Sequence, residues 1–229
     1  MTSRLDAICF GAAEPLALAR FWAAVLGRDT ADEPGGVALL PGDDAVIRLR
    51  FLPVDEPKTG PNRMHFDLTS PSPEEQQRTV ARALDAGARH IDVGQLPEEE
   101  HVVLADPEGN EFCVIEAGNK FLAGCGFVGA LSCDGSPEVG YFWSAALGWP
   151  LVWDQDQETA IQSPHGGMKI TWGGPPDRAK TGRNRLFLDL VPAGEIDRLI
   201  SLGATLTSTE AGHVELIDPE GNEFRVLTK

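Results

Sequence analysis

Two stretches decide the fold: "LADPEGNEFCVIE" at residues 104–116 and "LIDPEGNEFRVLT" at residues 216–228. They share the heptad DPEGNEF without a change. Asp-Pro-Glu-Gly has the make-up of a type I turn, with Asp first, Pro second and Gly fourth. Apolar, β-branched flanks make each stretch a hairpin, the last two strands of a unit. The identity of the heptad is therefore read as architectural. Chemistry is expected where the two copies differ.

The repeat extends outward from the hairpins. "ARFWAAVLGRD" from Ala19 matches "GYFWSAALGWP" from Gly140, and "KTGPNRMHFDL" from Lys58 matches "KTGRNRLFLDL" from Lys180. "LDAGA" from Leu84 matches "ISLGA" from Ile200. The spacing shrinks along the chain, so the second copy has lost residues around its second helix. Residues 1–118 form copy one and residues 121–229 copy two, joined by the short, small-residue-rich "EAGNKFLAG".

Each copy reads as two similar halves. In copy one "LDAICF" is a strand candidate, Pro15 opens a helix, Leu18, Phe21, Trp22, Val25 and Leu26 recur at helical spacing, and Gly27 ends it. "GVALLP" and "AVIRLRFL" follow as strands. The second half opens with strand "RMHFDLT", then a helix from Pro73 to Gly87 capped by Ser72, then "ARHIDV", "HVVLAD" and "EFCVIE". The chain is thus read as four βαβββ units, an α+β protein.

Composition limits the functions. The 229 residues and 42% hydrophobic content support a sizeable core. A net charge of −16 repels a phosphate backbone, so nucleic acid is not an expected partner. No apolar run approaches a membrane span, and the first residues do not read as a signal peptide, so the expected location is the cytoplasm. Cys9, Cys113, Cys125 and Cys133 form no CxxC pair and read as small buried residues. Phosphate loops of the GxGxxG or Walker type and a GxSxG elbow are missing, which weakens nucleotide-dependent and serine-hydrolase readings.

Paired βαβββ units, "ARFWAAVLG" after the first strand, "NRMHFDL" opening the second unit and "LADPEGNEFCVIE" closing it resemble the vicinal oxygen chelate superfamily, in its glyoxalase-like and bleomycin-resistance-type branch. The resemblance covers nearly the whole chain, twice. It implies tandem glyoxalase-like domains, each a curved mixed sheet around a cup. It leaves function open, since the fold serves isomerases, ring-cleaving dioxygenases and antibiotic-binding proteins alike.

Metal-using members of the superfamily place four inward-facing ligands, and the resemblance carries those positions to Ala7, Arg48, His65 and Glu116 in copy one and to Val128, Lys169, Phe187 and Thr228 in copy two. Ala7 offers no donor atom. Arg48 offers a fixed positive charge, which opposes a cation and suggests an Arg48–Glu116 pair in the metal's place. Copy two keeps no ligand set, with Lys169 again a cation. No cofactor is therefore expected. A divalent ion (Ni, Mn, Fe or Zn) would have His65 and Glu116.

His65 is open to three readings: ligand, general base, or interior histidine. Trp149, Trp153 and Trp172 read as an aromatic cup for a flat ligand or as core filling, whereas Trp22 and Trp143 read as core. Asp67 and Asp189 are read as facing away from His65. His101 and His213 match between copies and read as architecture. The KTG loops gather Lys58, Arg63, Lys180, Arg183 and Arg185 as an anion-binding lip or a solvated loop. The expected function is metal-independent binding of a small molecule, of the resistance or sequestration type, with Arg48, His65, Glu116, Trp153, Lys169 and Trp172 lining the ligand. The alternatives are a metal-dependent lyase, isomerase or dioxygenase and a structural module with closed cups. Either a monomer with paired internal domains or a homodimer fits.

Overall fold

The computed structural model describes residues 2–41, 47–96, 98–173, 180–192 and 196–228. The first unit is β1 (Arg4–Ala12), α1 (Pro15–Leu26), β2 (Thr30–Glu33), β3 (Gly36–Leu39) and β4 (Arg48–Pro53). The second is β5 (Met64–Leu68), α2 (Pro73–Asp85), β6 (Arg89–His90), β7 (Val102–Ala105) and β8 (Glu111–Val114). The third is β9 (Val128–Asp134), α3 (Pro137–Leu147), β10 (Leu151–Gln155), β11 (Glu158–Gln162) and β12 (Lys169–Gly173). The fourth is β13 (Leu186–Val191), α4 (Asp197–Ser201), β14 (Thr205–Glu210), β15 (His213–Ile217) and β16 (Glu223–Leu227). Among the described residues no helix is long and apolar enough to cross a membrane.

The local signals act as read. Pro15 sits at the start of α1, and Gly27 ends it with φ 64°, a left-handed conformation that costs glycine nothing. Ser72 caps α2, its hydroxyl accepting from the Glu75 amide at 3.3 Å. Two details differ. The strand β2 carries no apolar alternation and escapes a sequence reading, and "ARHIDV" yields only the two-residue β6. The opening of "AVIRLRFL", residues 45 and 46, lies outside the described residues.

Two curved eight-stranded sheets result, ordered β14-β15-β16-β13-β1-β4-β3-β2 (sheet A) and β10-β11-β12-β9-β5-β8-β7-β6 (sheet B). Their seams join first strands across the copies: β1 runs antiparallel to β13, and β5 antiparallel to β9. Sheet A therefore takes the first and fourth units, and sheet B the second and third. Each sheet draws one unit from each copy.

The unaltered heptad holds the units of one copy together. Asp106, buried in the β7–β8 turn, accepts from the Trp22 indole of α1 at 3.1 Å and from the Asn110 amide side chain at 2.8 Å. Glu108 accepts from the backbone amides of Ala13 and Glu14 at 2.9 and 2.8 Å, ahead of α1. Asn110 meets Asn62 at 3.0 Å, and Glu111 holds Lys58 at 2.7 Å. Copy two repeats the set: Asp218 with Trp143, Glu220 with the Ser136 amide, Asn222 with Asn184, and Glu223 with Lys180. Six of the seven residues are thus fixed by a side-chain partner or by turn geometry. The same contacts answer for the KTG loops. Lys58, Lys180, Arg63 and Arg183 each hold a glutamate, so these cations are structural ties around a cleft of about 370 Å³ and not a free anion-binding lip.

The helices fill the core. Trp22 touches Phe10 of sheet A at 5.5 Å and Phe66 and Phe112 of sheet B at 5.6 and 5.0 Å between ring centroids, so one side chain of α1 bridges both sheets.

Burial also sets a pH response. Burial pushes the Asp106 carboxyl up from 3.8 to about 6, against the opposing pull of its Asn110, Trp22 and Glu108 hydrogen bonds. The folded state then binds this proton more tightly than the unfolded chain does. Its contribution to stability grows as pH falls from about 7 to below 4 and is lost again as pH rises through 6. Urea unfolding of the wild type and Asp106→Asn across this range should show a stability difference that shifts by about 2–3 kcal/mol in favour of the wild type at the acid end. A pH-independent difference contradicts the assignment.

Candidate functional site

Helices cover one face of each sheet, and the other faces form the cups. In β5, Met64, Phe66 and Leu68 enter the core, which leaves His65 and Asp67 together on the cup face of sheet B. The expectation that Asp67 faces away from His65 is corrected: residues two apart on a strand share a face. Register carries that face across the sheet. Trp153, Ala160, Thr171, Ser132 and His65 stand opposite one another in one row. Gln162, Lys169, Ala130, Asp67 and Cys113 form the next.

Sheet A supplies the same two rows with other residues: Arg50, Cys9 and Phe187 in one, Arg48, Ala7, Asp189 and Arg225 in the next. There Asp189, 0% exposed, accepts two bonds from Arg225 at 2.7 Å each and one from Arg50 at 2.6 Å. Arg50 also holds Glu33, and Arg225 lies 4.7 Å from the Phe187 ring centre. Burial raises the Asp189 carboxyl, but Arg225 above all outweighs it and holds the group below its ordinary value. Two guanidiniums flank the one carboxylate, so this face fits no cation. Ion pairs cross the cup face of sheet A, and its Phe187 also lines the cleft between the KTG loops.

Sheet B is different in kind. His65 Nε2 lies 3.5 Å from Asp67 Oδ1, and Ser132 Oγ donates to Asp67 Oδ2 at 2.5 Å. One donor atom each from His65, Asp67 and Cys113 falls within 4.8 Å of the others. Burial works to lower the imidazole pKa, yet the bonds to Asp67 and Cys113 prevail and push it up to about 10. Burial raises the Cys113 thiol, and His65 partly offsets the rise. The cup therefore holds an imidazole and a carboxylate side by side next to a thiol, with 32% of the His65 side chain open to solvent.

The linker between copies covers one end of this face. Lys169 donates to the Phe121 carbonyl and sits 4.5 Å from the Phe121 ring centre, and that ring packs edge-on to Trp153 at 5.7 Å. The Trp153 indole N–H is buried with no acceptor. Beyond the strand ends, Thr69, Ile115, Glu116, Leu122 and Cys125 line a cavity of about 550 Å³.

Of the residues read from sequence, the structure brings His65, Trp153 and Lys169 onto one cup face. Trp172 is not among them: it is 1% exposed on the core face, against Gly135 and Gly140. Trp149 packs partly buried against the core. Arg48 belongs to sheet A, where it holds Asp6 at 2.7 Å and Glu33 at 3.2 Å. Glu116 lies past β8 and accepts from Asn119 at 2.8 Å. The expected Arg48–Glu116 pair does not form, because pairing of units across the copies places these residues in different sheets. The same re-sorting removes Arg48 as an obstacle to a cation beside His65.

The last strands also correct the position map. The cup-facing residues of β8 and β16 are Cys113 and Arg225, three places before Glu116 and Thr228. An odd shift along a strand turns a side chain to the other face. At the start of β9, Val128 packs towards the core and Ala130 and Ser132 face the cup. Asp67, Cys113, Ser132 and Thr171 were missed from sequence. A usable signal for Cys113 existed, since it is the first residue after the shared heptad at which the repeated hairpins diverge, Cys113 against Arg225.

The glyoxalase-like domain profile matches residues 7–115 and 129–227. The chain belongs to the glyoxalase-like domain family, within the vicinal oxygen chelate superfamily, as two tandem copies. Its fold is similar to that of glyoxalase I from Zea mays, with a TM-score of 0.68 at 10% identity over 99% of this chain and 92% of that one. It is also similar to a putative dioxygenase from Bacillus subtilis, with a TM-score of 0.62 at 15% identity over 99% of this chain and 85% of that one. These identities speak for the fold alone. No curated protein matched the sequence.

Proposed function

We propose that this chain is a small-molecule-binding member of the family that works from one cup, that of sheet B, capturing its ligand as a sequestration protein does. The observation that carries this reading is the Trp153 indole N–H, buried and without an acceptor in the row that ends on His65. A buried donor left unpaired costs free energy, and a ligand acceptor recovers it. Trp153 and Phe121 offer apolar ring surface, so a flat ligand with a hydrogen-bond acceptor suits the face. Sheet A is the counterpart in which ion pairs occupy the cup, as the closed-cup alternative expects of both.

The test is a ligand screen by thermal shift, followed by titration of each hit into wild type and Trp153→Phe. The substitution keeps a ring and removes the N–H. Affinity should fall about tenfold, the worth of one hydrogen bond to a buried donor. Unchanged affinity in Trp153→Phe, with loss in Phe187→Ala, would move the ligand to sheet A and overturn the reading.

A second reading keeps the same cup and adds a divalent ion, which would polarise adjacent oxygens of a bound substrate for lyase, isomerase or dioxygenase chemistry. The grouping of His65, Asp67 and Cys113 favours it, in place of the His65 and Glu116 pair.

A further inference from the structure

We infer that the joint between the two copies holds a second ligand site, for an organic amine on an apolar body, apart from the cup of sheet B. The site is the cavity of about 550 Å³ past the ends of β5 and β8, a volume within the range of small-molecule pockets. None of the residues that line it belongs to the two rows of the cup face. Ser70 and Glu116 each stand two residues beyond Leu68 and Val114, the last pair of the β5–β8 ladder, and both line the cavity. Ser70 is 7% exposed, and its hydroxyl is buried with no hydrogen-bond partner among the described residues. A hydroxyl so placed costs free energy that a ligand recovers by pairing with it.

The carboxylate is set for the same ligand. Asn119 of the linker accepts from the Leu122 amide at 3.1 Å and donates to Glu116 Oε1 at 2.8 Å, which fixes the carboxyl group. Glu116 is half-buried, and among the described residues no lysine or arginine forms an ion pair with it. Arg82 lies over the Phe127 ring at 5.6 Å, and Lys120, also on the cavity wall, is exposed. An ammonium carries donors and no acceptor, which suits a carboxylate oxygen and hydroxyl lone pairs together. Ile115, Leu122 and Phe127 supply apolar wall for the body of the amine. The net charge of −16 draws cations to the molecule. Copy two has no counterpart: at the matching positions Pro192 offers no hydroxyl and Thr228 no charge.

Cys125 makes the site readable. It lines the cavity and, unlike Cys9, Cys113 and Cys133, it is not buried. The test is the rate at which Cys125 of the full-length chain reacts with dithiodipyridine in the presence of phenethylamine, phenethyl alcohol or phenylacetate. Phenethylamine should slow the reaction in a saturable way. The alcohol should bind about tenfold more weakly, the worth of a hydrogen bond to a charged group, and phenylacetate should give no protection. Glu116→Gln keeps an acceptor for Asn119 and removes the charge, so it should erase the preference for the amine. Ser70→Ala should weaken protection roughly threefold to tenfold. Trp153→Phe should leave protection intact, because that residue belongs to the cup. No protection, equal protection by amine and alcohol, or stronger protection by phenylacetate overturns the inference. Protection lost in Trp153→Phe would put the amine in the cup of sheet B and overturns it as well.

Discussion

Asp189→Ala should cost about 3–5 kcal/mol of stability, the loss expected when one partner of a buried ionic cluster is removed. Arg50 and Arg225 both point at this carboxylate, each with a side chain only 14% exposed. Without Asp189 two fixed positive charges face each other across the floor of sheet A, and arginine cannot shed its proton to escape. Asp67→Ala, the matching change in sheet B, should cost about 1–2 kcal/mol. Its partner His65 can give up a proton, and a third of that side chain already meets water. Urea unfolding of the two variants side by side gives the comparison. Equal losses would mean that both cups are held together in the same way, and the division into a filled cup and a working cup would fail.

The second large effect falls on the repeated turn. Asp106→Ala should cost about 3 kcal/mol or more. The change strands the Trp22 indole N–H, the Asn110 side-chain amide and the backbone amides of Glu108 and Asn110, all of which donate to Asp106. Each stranded buried donor costs about 1–3 kcal/mol, partly offset by relief of the buried carboxylate. Asp218→Ala should act in the same direction, because Trp143 and Asn222 lose the same acceptor. A loss below about 1 kcal/mol in both variants would show that the heptad repeats for some reason other than tethering its helix.

The heptad also marks how far sequence reading reaches. Turn chemistry, the helix limits at Pro15 and Gly27, and the cap at Ser72 are local, and each is legible from a few neighbouring residues. The repeat itself announces the family. Which unit pairs with which is a long-range matter, decided where β1 meets β13 and β5 meets β9, and no local pattern encodes it. That is why Arg48 and His65 read as neighbours although they belong to different sheets. The site failed on register as well. Counting three residues too far along the last strand put Glu116 in place of Cys113, and an odd count reverses the face. Asp67 needed no structure at all: its place two residues after His65 already put it on the cup.

The two sheets differ at matching positions of the cup face. Where sheet A has Phe187, Cys9, Arg50 and Arg225, sheet B has His65, Ser132, Thr171 and Cys113. The first set closes a face with fixed charge and ring. The second leaves titratable and hydrogen-bonding groups on a face that water reaches.

Amide and indole chemical shifts during titration with a hit from the thermal screen report whether ligands enter the cup of sheet B. The Trp153 indole N–H signal and the Ser132, Thr171 and His65 amides should move, with Asp189, Arg225 and Phe187 unmoved. Shifts confined to Phe187, Asp189 and Arg225 would contradict binding in sheet B.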